Sequence, residues 1–201
     1  MAADPKTSSG GTAGDPDGPG RSGACPVFSV HGPLRGYEAA AEGILRALPS
    51  WFGIESSIVE YATAVEELPT FVALTGGEGD VDALDAAAEA AADDAVGAAR
   101  DVIGFLTVKP TSADALELHV MGVLAEWHRR GVGRALVERA AAYARAEDFA
   151  LLHVKTLAAS DPDPGYAATR AFYLALGFRP LEVLPAVWGP ENPCLLLVKP
   201  L

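Results

Sequence analysis

The sequence predicts an α+β domain in which one mixed sheet of about seven strands carries helices on both faces. Three observations point there. Short β-rich apolar runs recur along the chain, bounded by Gly, Pro and Asp. Between them lie stretches whose apolar residues return every three or four positions, the spacing of a helix face. Half of the 201 residues are hydrophobic, enough for one substantial core. A formal net charge of −12 argues against a nucleic-acid partner. No apolar run reaches the roughly 18 residues needed to span a bilayer, so no membrane partner is expected. Cys25 and Cys194 make no disulfide framework, and no Cys/His spacing suggests a metal site. With no leader-like apolar stretch before Val27, a cytoplasmic setting is expected.

Residues 1–25 are rich in Gly, Pro, Ser, Asp and Ala with little to bury, the composition of a flexible tail. A first strand is expected over 26–31, closed by the turn signals Gly32-Pro33 and Gly36. Residues 37–48 read as a helix stopped by Pro49, and 54–68 as a second, with Ile58, Tyr61, Val65 and Leu68 on one face. A second strand falls at 70–74. The stretch 76–101 differs in kind: it is Ala-rich, holds eight acids against one arginine, and reads as a solvated insertion in the domain spanning 26–201. Strands follow at 102–108 and 114–124, a helix at 135–145, a fifth strand at 150–157, and a helix at 166–176 ended by Gly177. Residues 178–184 and 194–200 are the closing strands.

Between the fourth strand and its helix lies His128-Arg129-Arg130-Gly131-Val132-Gly133-Arg134. Two glycines allow close backbone approach, a helix start presents unpaired N–H groups, and three arginines add local positive charge. This is a phosphate seat. It is not a dinucleotide fingerprint, because Leu136 stands where the third glycine belongs, and no G-x-x-x-x-G-K-[ST] string exists in the chain.

The stretch resembles the acyl-CoA signature of the GNAT superfamily of N-acetyltransferases, Q/R-x-x-G-x-G/A, with both glycines kept and His128 at the first position. A second signature of that family, a helix close of the type A-x-x-x-Y-x-x-x-G-F, is similar to residues 168–178, where Tyr173, Gly177 and Phe178 stand. Tyr166 replaces the family's Asn. The resemblance covers 26–201 in element order and is most specific over 102–180. It implies the acyl-CoA N-acyltransferase fold with a mostly antiparallel sheet, and acetyl-CoA as cosubstrate.

The resemblance further implies roles. The amides of Arg129, Arg130, Gly131, Val132, Gly133 and Arg134 would cap the CoA pyrophosphate, and backbone groups of Met121, Gly122 and Val123 would hold the pantetheine arm. Tyr173 would protonate the leaving thiolate. A strand-four glutamate, here Glu117, would serve as base. Strand alternation places Glu117, His119, Met121 and Val123 on one side, with Leu116, Leu118, Val120 and Gly122 toward the core. Two ionisable groups facing one way from an apolar strand are costly unless partnered or used. His119, with an imidazole suited to proton transfer, is the competing base, relay or substrate contact; a structural Glu–His pair is the plainer alternative. Gly122, inside a strand, suits a bulge or a close approach by ligand. Trp51, Phe52, Glu55 and Tyr61 are the substrate-binding candidates, with Asp161 and Asp163 in a nearby loop, and their acidity suits a cationic amine.

The expected activity is acetyl transfer to a primary amine, on a small molecule or a peptide, by direct attack in a ternary complex. No cysteine falls in the inferred site, which disfavours an acyl-enzyme route. The competing class is a non-catalytic acyl-CoA-binding regulatory module of the same fold. Exposed late strands in this family often support homodimers.

Overall fold

The computed structural model describes residues 27–76, 101–189 and 191–201. The expected tail and nearly all of the acidic insertion lie outside them. In chain order the elements are β1 (Phe28–Leu34), α1 (Glu38–Arg46), α2 (Glu55–Glu67), β2 (Thr70–Thr75), β3 (Val102–Pro110), β4 (Ala115–Val123), a 3-10 turn (Ala125–Trp127), α3 (Val132–Ala146), β5 (Leu151–Leu157), α4 (Pro164–Ala175), β6 (Arg179–Leu184) and β7 (Cys194–Pro200). The seven strands form one sheet in the order β1-β2-β3-β4-β5-β7-β6. Every neighbouring pair is antiparallel except β4–β5.

Helices cover both faces of this sheet, which is why its central strands read as continuous apolar runs rather than alternating ones. On one face Phe71, Ala73, Ile103 and Leu106 pack with Leu136, Val137 and Ala140 of α3. On the other, Val72, Leu74, Phe105 and Val120 meet Ile44 and Leu45 of α1 and Ile58 and Val65 of α2. Each fully buried Leu, Ile, Val or Phe contributes about 1.5–3 kcal/mol of transfer free energy. The three alanines Ala140, Ala141 and Ala144 on the buried side of α3 let that helix lie close to the strands.

Several boundaries differ from expectation for identifiable reasons. β1 does not stop at Gly32-Pro33 but continues to Leu34, with a register shift between His31 and Leu34. An edge strand tolerates proline's missing N–H at a bulge, and Gly32 has the positive φ of 131° that the detour needs. A Cβ on Gly32 would come within 2.7 Å of the Thr70 carbonyl oxygen. α3 starts three residues before the expected 135, because Gly131 takes the N-cap position with φ 91°. α4 begins at Pro164 rather than 166: the Asp163 side chain accepts from the Tyr166 amide and proline occupies the first turn.

The expected alternation along β4 is wrong beyond residue 118. Val108 of β3 pairs with Leu118 and Thr107 with Val120, so His119 is an extra residue, a β-bulge. Residues paired across a ladder share a face. Glu117, opposite Lys109, and Val120 and Gly122, opposite Thr107 and Phe105, therefore lie on the α1/α2 side. Met121 and Val123 instead pack against the α3 cluster. The bulge sits at His119 and not at Gly122. Gly122 is there for packing, since a Cβ on it would stand 2.8 Å from Ile44 Cγ2 and 3.0 Å from Phe105 Cε1. Gly122→Val is expected to destabilise the fold by about 2 kcal/mol through overpacking, read as a lower urea midpoint at unchanged slope.

Candidate active site

β4 and β5 pair in parallel only from Ala115↔Leu151 to Leu118↔Val154, and both strands then run on without pairing to each other. The bulge at His119 marks the parting. Beyond it, β4 has β3 on one side and an opening on the other. The Leu124 amide donates to the Ile103 carbonyl at 2.9 Å. Hydrogen-bonded and non-bonded pairs alternate in an antiparallel ladder. Gly122 and Val120 are then the residues that bond to β3, while Met121 and Val123 turn their N–H and C=O groups into the gap.

The gap opens into a cleft of about 870 Å³. Its α2 side carries Trp51, Phe52 and Tyr61; its floor carries Glu117, His119 and Lys155; Tyr166, Phe172 and Tyr173 of α4 also line it. Phe52 meets Tyr61 edge-to-face at 5.9 Å, and Tyr61 meets the His119 ring at 5.8 Å. The Tyr166 hydroxyl donates to the Trp51 carbonyl at 3.2 Å, tying α4 to the segment between α1 and α2.

Glu117 is 6% exposed. Lys155 Nζ donates to its Oε1 at 2.6 Å, and His119 Nδ1 stands 3.9 Å from Oε2. Burial alone would raise this carboxyl, but His119 and the Lys155 ammonium outweigh it and bring the pKa from 4.5 to about 2. Glu117 is thus a fixed negative charge at neutral pH. Tyr173, 5% exposed and packed against Phe172 and Phe178, is raised well above the ordinary tyrosine value by burial, so its hydroxyl keeps its proton.

At the other end of the gap, His128 Nε2 lies 2.7 Å from the Val123 carbonyl oxygen. A carbonyl only accepts, so Nε2 carries the hydrogen and pins the loop start to the end of β4. Trp51 packs edge-on to the same ring at 6.0 Å. Arg129 and Gly131 both have positive φ, 58° and 91°, which turn the chain into α3. The first helical bond runs from the Ala135 amide to the Gly131 carbonyl, leaving the amides of Val132, Gly133 and Arg134 ahead of it. A Cβ on Gly133 would meet Phe172 Cζ at 3.3 Å, so glycine lets α3 and α4 close on each other here.

Of the residues singled out from sequence, the cleft brings together Trp51, Phe52, Tyr61, Glu117, His119, Met121, Gly122, Val123, His128, Arg129, Gly133 and Tyr173. The Arg130 guanidinium instead lies over the Trp127 ring at 5.3 Å, and Arg134 faces Glu138 at 3.6 Å. The Val132 side chain, at the first position of α3, is buried in the core. Glu55 is outside the cleft lining, its exposed carboxylate bound by Arg46 at 2.7 and 2.8 Å. Asp163 caps α4 and Asp161 accepts from the Asp163 amide. All three carboxylates thus hold hydrogen bonds within the chain. Lys155 and Tyr166 also line the cleft, and neither was expected there from sequence. A signal for Lys155 existed: His153 and Lys155 alternate on a β5 that is otherwise apolar but for Thr156, beside the strand that carries Glu117.

Solved structures share the fold. A GNAT-family protein from Desulfovibrio desulfuricans superposes with a TM-score of 0.65 at 16% identity, covering 87% of this chain and 99% of that one. The ribosomal-protein-S18-alanine N-acetyltransferase of Escherichia coli gives 0.59 at 18% identity, covering 87% and 94%. A GNAT acetyltransferase from Elizabethkingia anophelis, solved with acetyl-CoA bound, gives 0.57 at 15% identity, covering 87% and 98%. At such identities the likeness speaks for the fold. Residues 90–180 match the family model described as an acetyltransferase (GNAT) domain. The matched segment runs from ahead of β3 to the start of β6, and the fold around it is the one these solved structures share. No curated protein matches the sequence. Among the described residues no helix is long and apolar enough to cross a membrane.

Proposed function

We propose that this chain moves the acetyl group of acetyl-CoA to the primary amine of an acceptor by direct attack in a ternary complex. The parted strands β4 and β5 carry that reading, since they join a glycine loop at one end to Glu117 and His119 at the other. The residues present fit acetyl-CoA. The gap-facing backbone of Met121 and Val123 suits the pantetheine amides, and the left-handed turn at Gly131 with the free amides of Val132, Gly133 and Arg134 suits a pyrophosphate. Arg129 lines the same cleft. When bound, acetyl-CoA supplies an activated acyl group as a thioester.

The chain's own residues divide the remaining work. The Met121 amide, aimed into the gap, can donate to the thioester carbonyl as negative charge grows there. The acceptor arrives mostly as ammonium, with a pKa of about 10, and must shed a proton. A carboxylate held near 2 is a poor proton acceptor, so Glu117 attracts and orients the ammonium while His119 beside it takes the proton. The Tyr173 hydroxyl, kept protonated by burial, supplies the proton for the departing thiolate. Calorimetry with acetyl-CoA followed by thiol release against an amine panel tests the whole. Binding with no release for any amine would favour the acyl-CoA-binding regulatory module, to which the engagement of Glu117 by Lys155 lends its one support.

His128→Ala is expected to weaken acetyl-CoA binding about tenfold, the worth of one hydrogen bond that fixes the β4 end, with little change in urea midpoint. The exposed Leu181, Val183, Val187 and Trp188 on and after β6 suit a homodimer, which sedimentation would reveal. A cytoplasmic location suits the free, buried thiol of Cys194.

A further inference from the structure

The acceptor end of the cleft joins two kinds of surface. One wall is aromatic, formed by Trp51, Phe52 and Tyr61. The floor is charged and carries both signs. Lys109 is the direct partner of Glu117 across the β3–β4 ladder, on the same face of the sheet. Lys155 lies two residues beyond His153, the partner of Glu117 on β5. Three neighbouring strands thus present Lys109, Glu117 and Lys155 in one cluster, and all three line the cleft.

The ion pair within that cluster leaves capacity on both members. Lys155 Nζ uses one of its three donors on Oε1 of Glu117, and its side chain is 31% exposed. Oε2 of Glu117 faces His119 without a bond at hydrogen-bond length. One oxygen is therefore available to a cation and one ammonium to an anion, side by side. A polycation entering here meets two lysines, and Glu60 at the rim is the only other carboxylate among the lining residues described. An amine without an anion leaves the spare donors of Lys155 and the Lys109 ammonium with no new partner in the cleft. A peptide N-terminus carries its own carboxylate many bonds away from the amine.

We infer that the acceptor is a free α-amino acid with a large aromatic or apolar side chain. Its ammonium sits toward Glu117 and His119, its carboxylate toward Lys155 and Lys109, and its side chain against Trp51, Phe52 and Tyr61. The inference rests on the acetyltransferase reading above and narrows it. The transfer balances: the ammonium gives its first proton to His119 and thence to solvent, the C–N bond forms, the thioester C–S bond breaks as the thiolate takes a proton from Tyr173, and the second proton shed by the nitrogen restores the Tyr173 hydroxyl. The product is an N-acetyl amino acid with its carboxylate intact. Having lost its ammonium, it no longer pairs with Glu117, which favours release.

The test measures thiol release by the full chain with acetyl-CoA and, in turn, L-phenylalanine, phenethylamine and spermidine, beside calorimetry of acetyl-CoA alone. The expected kcat/KM for L-phenylalanine is at least tenfold above the other two. Equal or better turnover of phenethylamine or spermidine overturns the inference. So does acetyl-CoA binding with no release from L-phenylalanine, which leaves the cosubstrate site standing. Absence of acetyl-CoA binding overturns the acetyltransferase reading itself. Lys109→Met gives a second handle: KM for L-phenylalanine should rise about tenfold while KM for phenethylamine, which lacks the carboxylate, moves less than twofold. An equal rise for both removes Lys109 from carboxylate recognition.

Discussion

Glu117→Gln is expected to lower kcat by two to three orders of magnitude, within the range of general acid–base contributions, while acetyl-CoA affinity stays within about twofold. The substitution keeps the side chain's shape and removes its charge. His119 loses the anion 3.9 Å from its Nδ1, and the acceptor loses the group that draws its ammonium inward. The contacts proposed for the cosubstrate, at Met121, Val123 and the glycine loop, lie further along the gap and are untouched. Single-turnover kinetics beside calorimetry separate the two effects, and unchanged turnover removes Glu117 from the mechanism. Stability gives an independent reading. The carboxyl is depressed from 4.5 to about 2 in the folded chain, so its stabilisation is present above 4.5 and is lost as pH falls through 2. The amount is about 3 kcal/mol at most. The parent chain's melting temperature should accordingly fall more steeply between pH 5 and pH 2 than that of Glu117→Gln.

Tyr173→Phe is the second large effect expected, a loss of about a hundredfold in kcat with the fold intact. The ring keeps its packing against Phe172 and Phe178, so circular dichroism and urea midpoint should stay close to the parent. The predicted loss depends on the leaving thiolate. An acyl donor whose leaving group needs no proton should therefore narrow the gap between parent and variant. Since burial raises the Tyr173 hydroxyl, its ionisation should set no basic limb in the pH–rate profile within the working range.

The elements with strong apolar periodicity were legible from the chain alone. β2, β3, α2 and β7 fall within a residue or two of their expected bounds, because burial on one or both faces leaves a pattern in residue type. The glycine loop was legible because Gly131 and Gly133 meet conformational and packing demands that other residues meet poorly. The bulge at His119 was not. An added residue in one strand changes which side chains share a face without leaving a composition of its own, so the expected grouping of Glu117 with Met121 and Val123 failed. Gly122 drew attention as a weak spot in a strand, yet its smallness serves Ile44, a residue distant in sequence. The hold of Arg46 on Glu55 and of Lys155 on Glu117 likewise leaves no trace in residue spacing. Each miss concerns a pairing between segments, which one-dimensional spacing does not encode.

The brief parallel seam between β4 and β5 has a mechanical consequence. Four paired positions, Ala115 to Leu118 against Leu151 to Val154, are the ladder that joins the β1–β4 part of the sheet to the β5–β7 part, with α3 bracing both from one side. Past that seam the sheet is an unzipped fabric whose missing rungs a guest molecule can supply. Rigidity in this half of the molecule should then vary with occupancy. Amide exchange at Met121 and Val123 should slow when the gap is filled, and pulling the two parts of the sheet apart should take more force.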